Sequence, residues 1–450
     1  MRFPRASDYI RDEAVNGTFS VHPDVFTDPG IFDLEQRHIF RSTWSFLTLE
    51  SEVGRPNDFI TTHIGNTPIL VTRDKQGRVN AFLNACRHKG ALVCVEQQGN
   101  TPLHVCPYHA WSYDAGGKLR SIRDASAAGY TDRFRNLDHN LIALPKVEAY
   151  RGFVFGSLSA DVPPLSDFLG DMRFFLDLIV DRYPGGLRYL PGSTVYTYRA
   201  NWKLQMENGM DSYHLNTAHS TFIDVMDRRA RGEGNVAVRE VSWRKRENLQ
   251  QGSLTFDHGH TVLWVDEGDT EGRPDYIAAE RARPRVGDVK ADWMRRGRNY
   301  YLFPNMQIQD SQSLMIRIFR PIGVGLTEMT AFCLAPVDEE PAMRNWRLRQ
   351  YEDFFNPSGL ATPDDSVVYE HCQQGMGSVG LPWLQGYSRG TRDFIFGGNA
   401  LSEEVGLHPA TTTIGPMGAF VEVLMQQPYR AWSTMIDKGV EQDLRSAASC

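Results

Sequence analysis

The segments Cys86-Arg87-His88 and Cys106-Pro107-Tyr108-His109, separated by seventeen residues, decide the fold of the N-terminal part of the sequence. Each segment supplies one cysteine and one histidine, and thiolate and neutral imidazole are common protein ligands of transition metals. Structural zinc sites usually space a ligand pair by about two to four residues. The first pair here has a single intervening residue, so a structural zinc site fits the pattern poorly.

An iron–sulfur centre fits the same four residues better. A Rieske [2Fe–2S] cluster needs two thiolates on one iron and two imidazoles on the other. The two segments supply that set, so the sequence predicts that Cys86, His88, Cys106 and His109 hold a Rieske cluster. Cys94 has no histidine at matching spacing, and we interpret it as a buried small residue, the usual role of a free cysteine.

The sequence around these segments is typical of a β-sheet domain. From Trp44 to about Phe155, short runs of β-branched and aromatic residues alternate with turn signals such as Gly65-Asn66-Thr67-Pro68 and Asp74-Lys75-Gln76-Gly77. The pattern predicts an all-β unit in which the ligand segments follow strands. Loops on such a rigid scaffold are well placed to hold a cluster.

A second metal-binding pattern lies in Glu207–His219, where His214 and His219 stand five residues apart and Asp211 precedes them. Along one regular helix the two imidazoles would diverge by roughly 140°. We therefore expect either a bend between them, or one histidine at the end of an element and the other at the start of the next. Two polar surface histidines are the alternative interpretation of this stretch alone.

A non-haem iron that activates oxygen is commonly held by two histidines and one carboxylate. The sequence has 55 acidic residues, so residue type alone does not identify the carboxylate. Asp364 and Asp365 lie in the first turn of a helix that Thr362 is expected to cap, where acidic side chains complement the helix dipole. From the residues alone the third ligand stays open.

The sequence after the β unit predicts a catalytic part with an antiparallel sheet and helices beside it, and therefore an α+β fold overall. Nearer the N-terminus, Asp28-Pro29 marks a helix start, with an acidic cap and proline at the first helical position. The elements expected after residue 157 are helices over 167–183 and 341–355, a helix from Thr362, and strands over 193–200, 300–309, 314–321 and 328–335.

Composition and charge exclude several classes of protein. A formal net charge of −7 gives no basic field for nucleic acid, and no apolar run is long enough to span a bilayer. Six cysteines in 450 residues show no disulfide framework, and residues 1–8 lack the apolar core of a secretory signal. We therefore expect a cytoplasmic protein that binds neither nucleic acid nor a membrane.

The two motifs, in this order, resemble the large (α) subunit of Rieske non-haem iron ring-hydroxylating dioxygenases, and the resemblance covers nearly the whole chain. The benzoate and anthranilate dioxygenase branch is the most similar, on the segments Tyr150–Phe155, Asn201–Leu204, Glu207–Gly209, Gln350–Asn356 and Thr362–Asp365. The resemblance implies three parts: an N-terminal helical segment (1–43) that packs on the catalytic domain, an all-β Rieske domain (44–157) and a catalytic mononuclear-iron domain (158–450).

The resemblance also implies the residues of the iron site. His214, His219 and Asp365, the second acid of its pair, match the ligands of the family's mononuclear iron. Asp211 matches the acid that links the two metal centres. Asn208 matches a pocket residue close to the iron.

One residue departs from the family pattern. The first Rieske segment usually reads Cys-x-His-Arg-Gly, whereas Lys89 follows His88 in this chain. Lysine keeps the charge but lacks the planar fork of donors that arginine has. Lys89 therefore lacks the means for the bidentate hydrogen bonding of arginine, and the four cluster ligands are unchanged.

By resemblance, the chain is expected to be the terminal oxygenase α subunit that cis-dihydroxylates a monocyclic aromatic carboxylate of the anthranilate or benzoate type. Electrons from NADH would pass from a reductase, directly or through a ferredoxin, to the Rieske cluster and then to the mononuclear Fe(II), with O₂ as co-substrate. The family's α subunits form trimers (α3), commonly with three small β subunits (α3β3). Electrons cross between neighbouring α subunits through His109, Asp211 and His214.

Two alternatives share parts of the pattern. A Rieske monooxygenase that hydroxylates or demethylates an aromatic acid would have the same metal ligands. A Rieske electron-transfer protein would share the cluster ligands only, since it needs neither residues 158–450 nor the pair of His214 and His219.

The sequence does not identify the residues that contact a substrate. Gln307 and Gln309 alternate on an expected strand and face either a pocket or solvent. Arg317 and Arg320 are candidate partners of a substrate carboxylate, although arginines in an antiparallel strand are more often structural.

An anionic aromatic substrate sets two requirements for its pocket. It needs a positively charged or multiply hydrogen-bonding partner, because burying an unpaired carboxylate is unfavourable. The rest of the pocket should be apolar and flat enough to hold a ring. Met206, Met210 and Phe222 lie around the iron-binding stretch and are candidates for this wall, with a place in the core as the alternative.

Overall fold

The structure, a computed structural model, describes residues 5–232, 249–266, 273–311, 313–415 and 417–448. The chain forms two compact units: one is Phe40–Leu165, and the other joins Met1–Ile39 to Ser166–Cys450. The first unit begins and ends close to the limits 44 and 157 that the sequence suggests for a Rieske domain.

The N-terminal segment, which was expected to be helical, instead begins with a β-hairpin that two short helices follow. Its elements are β1 (Ile10–Glu13), β2 (Thr18–Val21), α1 (Asp24–Thr27) and α2 (Pro29–Glu35). Asp28 caps α2 as predicted, because its carboxylate accepts hydrogen bonds from two backbone N–H groups of the first turn. Glu35, at the end of α2, is buried and accepts hydrogen bonds from the indole N–H groups of Trp202 and Trp432.

The unit Phe40–Leu165 consists largely of antiparallel strands, which confirms the predicted all-β unit. Its elements are β3 (Ser45–Leu49), β4 (Asp58–Ile64), β5 (Thr67–Arg73), β6 (Val79–Leu83), β7 (Gln98–Asn100), β8 (Leu103–Val105), β9 (Ser112–Asp114), β10 (Leu119–Ser121), α3 (Asp132–Arg135), β11 (Lys146–Tyr150) and β12 (Phe153–Ser157). The strands form three sheets, in the orders β6-β5-β4-β7, β10-β9-β8 and β11-β12-β3. The described cysteines of the chain are free thiols; Cys450 lies outside the described residues.

The second unit mixes helices with strands. Its helices are α4 (Leu165–Leu169), α5 (Met172–Arg182), α6 (Trp202–Asn208), α7 (Leu215–Ala218), α8 (Ser220–Ala230), α9 (Pro274–Val286), α10 (Asp288–Arg295), α11 (Pro341–Gln350), α12 (Thr362–Met376), α13 (Ala400–Glu403) and α14 (Gln426–Ala448). In the described part of the chain, no helix combines the length and the apolar character needed to cross a membrane.

One large antiparallel sheet organises this unit and confirms the predicted α+β fold. Its strands are β13 (Leu187–Tyr189), β14 (Thr194–Tyr198), β15 (Gln251–Thr255), β16 (Thr261–Val265), β17 (Gly297–Leu302), β18 (Met306–Asp310), β19 (Leu314–Gly323), β20 (Leu326–Pro336), β21 (Phe394–Phe396) and β22 (Thr411–Gly415). The order is β13-β20-β19-β18-β17-β16-β15-β22-β21, and β14 also pairs with β20. Because β15 to β18 are almost entirely buried, the sheet forms the core on which the helices pack.

For two elements the predicted extent is wrong. The helix expected over 167–183 is divided into α4 and α5, because Gly170 has a left-handed backbone (φ +48°) that a regular helix does not contain. The strand expected over 300–309 is two strands, β17 and β18, because the chain turns back and pairs Leu302 with Met306.

The start of α12 also differs from the prediction. Thr362 is the first residue of this helix and does not cap it; its hydroxyl donates a hydrogen bond to the backbone carbonyl of Phe355 at 2.9 Å. Asp364 and Asp365 do lie in the first turn, as expected. The helix expected over 341–355 is confirmed as α11, continued by a π-helical turn over Tyr351–Phe355.

Candidate metal centres and substrate pocket

The four predicted cluster ligands lie on two loops of the first unit. Cys86 follows β6 and Cys106 follows β8, and both thiols are buried. The imidazoles lie nearer the surface, and the Nδ1 atoms of His88 and His109 are 3.1 Å apart. Two inner thiols and two outer imidazoles are the donor set that a Rieske cluster requires, so these residues fit that group.

Two aromatic residues support these ligands. Trp111 stacks on the imidazole of His88, with ring centres 5.1 Å apart and 9° between the ring planes. The hydroxyl oxygen of Tyr113 accepts a hydrogen bond from the backbone N–H of Arg87 and lies 3.3 Å from Sγ of Cys86. The Tyr113 proton is therefore free to point at the sulfur. Sequence reasoning missed Tyr113, because its place in the strand after the second segment carries no distinctive signal.

The three predicted iron ligands lie together in the second unit. His214 directly precedes α7 and His219 lies between α7 and α8, so the two histidines flank the short helix α7 and do not share one regular helix. Their Nε2 atoms are 3.2 Å apart. Oδ1 of Asp365, from the first turn of α12, is 3.0 Å from Nε2 of His219 and 3.5 Å from Nε2 of His214.

This cluster fits a mononuclear iron. One ligand atom from each of the three side chains lies within 4.8 Å of the others. His219 and Asp365 are buried, and His214 is half-buried. Two imidazoles and one carboxylate are the donor set of oxygen-activating iron, and three protein ligands leave coordination positions open.

Asp211 sets the orientation of His214. Its Oδ2 accepts a hydrogen bond from Nδ1 of His214 at 3.0 Å, and its other oxygen accepts one from the backbone N–H of Tyr213. With the proton on Nδ1, Nε2 keeps a lone pair for a metal. Burial opposes protonation of this imidazole, but the hydrogen bond to Asp211 and the charge of Asp365 raise the pKa of His214.

Asn208 and Asp364 lie against the three ligands. Nδ2 of Asn208 is 3.0 Å from Oδ1 of Asp365 and 3.2 Å from Nε2 of His214. Oδ2 of Asp364 is 3.5 Å from Nδ1 of His219, without the geometry of a hydrogen bond. The structure thus brings Asn208 to the predicted iron position and gives Asp364 a neighbour that the sequence did not indicate.

The three ligands border a pocket with an empty volume of about 600 Å³, its open mouth included. The apolar part of its lining consists of Leu215, Leu263, Val265, Phe354 and Phe355. The wall predicted from Met206, Met210 and Phe222 is wrong, because these three residues are buried in the core and do not line the pocket.

One face of the large sheet forms another side of the pocket. Leu263, Asn299 and Gln309 are successive partners across β16, β17 and β18, and all three line the pocket. Gln307, two residues before Gln309, pairs with Arg317 on β19. Since alternate residues of a strand share a face, Arg317 lies on the pocket face, and it too lines the pocket. Gln307 itself is buried and donates to two backbone carbonyls of α6.

Glu207, which directly precedes Asn208, is a buried acid that sequence reasoning missed. Its Oε1 accepts hydrogen bonds from the hydroxyls of Tyr387, at 2.9 Å, and of Tyr429. Burial raises the pKa of this carboxyl to about 7, although both hydrogen bonds act in the opposite direction. No local sequence signal marks Glu207 as a buried acid, because its partners lie about 180 and 220 residues further along the chain.

Two protein-family models match the chain. The model described as "Ring hydroxylating alpha subunit (catalytic domain)" matches residues 188–438, and the model of the Rieske [2Fe-2S] domain matches residues 43–144. The second match contains the four cluster ligands predicted from the sequence. The first covers more than half of the chain and contains His214, His219 and Asp365, so the alternative of a pure Rieske electron carrier is excluded.

Named relatives match nearly the full length. The α subunit of toluate 1,2-dioxygenase from Pseudomonas putida is 38% identical over 438 residues, which cover 96% of this chain and 94% of that protein. The large subunit of 2-halobenzoate 1,2-dioxygenase from Burkholderia cepacia is 38% identical over 442 residues, covering 97% and 93%. The crystal structure of naphthalene 1,2-dioxygenase from Rhodococcus sp. bound to indole superposes with a TM-score of 0.78 at 25% identity, covering 93% and 94%. The chain therefore belongs to the α subunits of ring-hydroxylating dioxygenases, enzymes with a Rieske [2Fe–2S] cluster and a mononuclear iron that receive electrons from NADH through a reductase.

Proposed function

We propose that this chain is the terminal oxygenase subunit that dihydroxylates a monocyclic aromatic carboxylate. The net reaction takes benzoate, O₂, NADH and one proton to a cis-dihydrodiol and NAD⁺, with both oxygen atoms on adjacent ring carbons. A 2-amino or 2-halo substituent at the attacked carbon would be expelled, and loss of CO₂ would give catechol.

The observation that carries this proposal is the position of the His214, His219 and Asp365 cluster at a pocket with aromatic and aliphatic side chains in its lining. The apolar side chains of Leu263, Val265 and the Phe354–Phe355 pair border the same space. The similarity to toluate and 2-halobenzoate dioxygenases over nearly the whole chain supports a carboxylated ring as the substrate.

In this proposal His214, His219 and Asp365 hold the iron, and Cys86, His88, Cys106 and His109 hold the cluster. When bound there, the iron supplies the activation of O₂, with electrons that come from the cluster. Asp211 holds the proton on Nδ1 of His214 and so keeps Nε2 directed at Asp365 and His219. Asn208 positions the Asp365 carboxylate through its amide, and the apolar lining excludes water from around the ring.

The proposed partners follow from the same relatives. An NADH-dependent reductase, directly or through a ferredoxin, reduces the cluster, and a small β subunit accompanies the chain in an α3β3 or α3 assembly. Electrons pass from His109 of one subunit to Asp211 and His214 of its neighbour. We place the protein in the cytoplasm, where NADH is available.

Oxygen uptake with the cognate reductase and NADH tests the proposal. Benzoate, anthranilate or a 2-halobenzoate should support rapid uptake, whereas naphthalene and biphenyl, which lack the carboxylate, should be poor substrates. Fast uptake with the hydrocarbons and none with any monocyclic carboxylate would contradict the assignment of the substrate. Labelling with ¹⁸O₂ then separates dioxygenation, with two labelled atoms in the diol, from monooxygenation, with one.

A further inference from the structure

Arg317 is a charged residue at the iron pocket whose hydrogen-bonding capacity is incompletely used. It is only 2% exposed, and its Nη2 donates to the hydroxyl oxygen of Thr362 at 3.0 Å. The guanidinium carbon lies 5.6 Å from the centre of the Phe355 ring. Its Nε is buried and has no hydrogen-bond partner among the described residues. A guanidinium carries five N–H donors, so this side chain retains donors for a further group.

No carboxylate of the described chain forms a salt bridge with Arg317, although its charge is buried. Asp365, whose carboxylate lies in the field of Arg317, is engaged with His219 at 3.0 Å and with Asn208 at 3.0 Å. A buried charge is strongly unfavourable unless an opposite charge or several hydrogen bonds compensate it. The pocket therefore holds a cation without a dedicated anion of its own.

Two other arginines of the sheet do not share this situation. Arg298 also borders the pocket, but it is the direct strand partner of Asp310 and forms a salt bridge with it. Since Arg298 precedes Asn299 in the strand, its side chain projects to the opposite face from the pocket residue Asn299. Arg320 lies three residues beyond Arg317, also on the opposite face, and pairs with Glu328 at 3.1 Å.

We propose that Arg317 binds the carboxylate of the aromatic substrate and thereby selects carboxylated rings; this inference rests on the proposed function. The free Nε and the N–H groups not used by Thr362 would donate to the two carboxylate oxygens, since guanidinium and carboxylate match as parallel hydrogen-bonded pairs. The ring would then lie between Phe355 and the iron ligands. Arg317 acts as a specificity-determining residue, because it fixes which end of the substrate faces the sheet.

Substrate binding to the iron-loaded oxygenase tests this role without turnover. Isothermal titration calorimetry would compare benzoate with benzamide, a neutral ligand of similar size, in the wild type and in Arg317→Gln. We expect the ratio of benzoate to benzamide affinity to fall by about 10–100-fold, because hydrogen bonds between charged groups are lost. Arg317→Lys keeps the charge without the planar fork, so its affinity ratio should lie between those of the wild type and Arg317→Gln. Arg320→Gln, on the opposite face, should retain the wild-type ratio.

A wild-type ratio in Arg317→Gln would overturn the inference. If that variant fails to fold or to retain iron, Gln309→Glu decides instead, because it adds a carboxylate to the same face and leaves Arg317 and Thr362 in place. The new anion should lower the affinity for benzoate much more than that for benzamide, and equal losses for both ligands would also overturn the inference. A different result, in which the wild type binds and oxidises only neutral rings, would contradict the proposed function itself.

Discussion

Nδ1 of His214 donates a hydrogen bond to Oδ2 of Asp211 at 3.0 Å, and Nε2 of the same ring faces Asp365 and His219. One carboxylate thus controls both the protonated nitrogen and the direction of the ligand nitrogen. The bond is partly accessible, since the Asp211 side chain is 17% exposed and that of His214 19%.

The first prediction concerns Asp211→Asn. Asparagine can still accept the hydrogen bond from His214, so we expect normal iron content and normal Rieske absorption. The negative charge is lost, and turnover should fall by more than the roughly 10–100-fold typical of residues that orient metal ligands, because the proposed function also routes electron transfer through Asp211. Iron analysis and NADH-dependent oxygen uptake measure the two effects. Wild-type turnover in this variant would refute the role of Asp211.

The two neighbouring aspartates of α12 should differ sharply. Asp365→Ala should lose the mononuclear iron and keep the Rieske spectrum, because the two sites share no ligand. Asp364→Ala should retain the iron with at most about a tenfold loss of affinity, since Asp364 only approaches Nδ1 of His219 at 3.5 Å. Iron and acid-labile sulfide determinations report both sites. Loss of iron from the Asp364 variant alone would mean that Asp364 is the ligand.

Tyr113→Phe should lower the reduction potential of the Rieske cluster. The Tyr113 hydroxyl lies 3.3 Å from Sγ of Cys86, and a hydrogen bond to a ligand sulfur stabilises the reduced, more negative cluster. Loss of one such bond should shift the potential downward by on the order of 50 mV. Redox titration followed by visible absorption measures it. Tyr130→Phe, whose ring stacks on Phe134 in the same unit, serves as the control and should keep the wild-type potential.

Glu207 should make stability depend on pH. Its folded-state pKa of about 7 lies above the ordinary value of 4.5, so its contribution is fully present below about pH 4.5 and is lost as pH rises through 7. The largest effect is on the order of 3 kcal/mol. Glu207→Gln removes the titration. The denaturation midpoint of the variant should therefore rise relative to that of the wild type between pH 5 and pH 8. Glu340 is exposed, so Glu340→Gln should show no such rise of the midpoint. A rise of equal size in this control would contradict the assignment of the pH dependence to Glu207.

The candidate cluster ligands could be proposed from sequence because they are local. The pairs Cys86/His88 and Cys106/His109 each lie on one loop, and their spacing favours a Rieske cluster over a zinc site. Asp365 was different, because it lies about 150 residues after the histidines and carries the ordinary signature of a helix start. Only resemblance to the family selected it, and the geometry around His219 now supports that choice.

The pocket was the least predictable part. Strand alternation shows from sequence that Arg317 and Arg320 face opposite sides, but it does not show which side meets the iron ligands. That depends on how α6 and α12 pack on the sheet. Met206 and Met210 illustrate the same difficulty: proximity to the histidines in sequence places them near the site, but their side chains belong to the core.

The alternation of the large sheet also bears on how this enzyme adapts. Leu263, Asn299 and Gln309 face the pocket, whereas the adjacent Arg298 and Asp310 form a buried ion pair on the other face. Residues that line the pocket and residues that stabilise the sheet thus alternate along the same strands. A combinatorial library confined to the three pocket positions would sample new ring substituents and leave the ion pair intact. Substrate range can therefore diversify in evolution without loss of the interactions that stabilise the sheet.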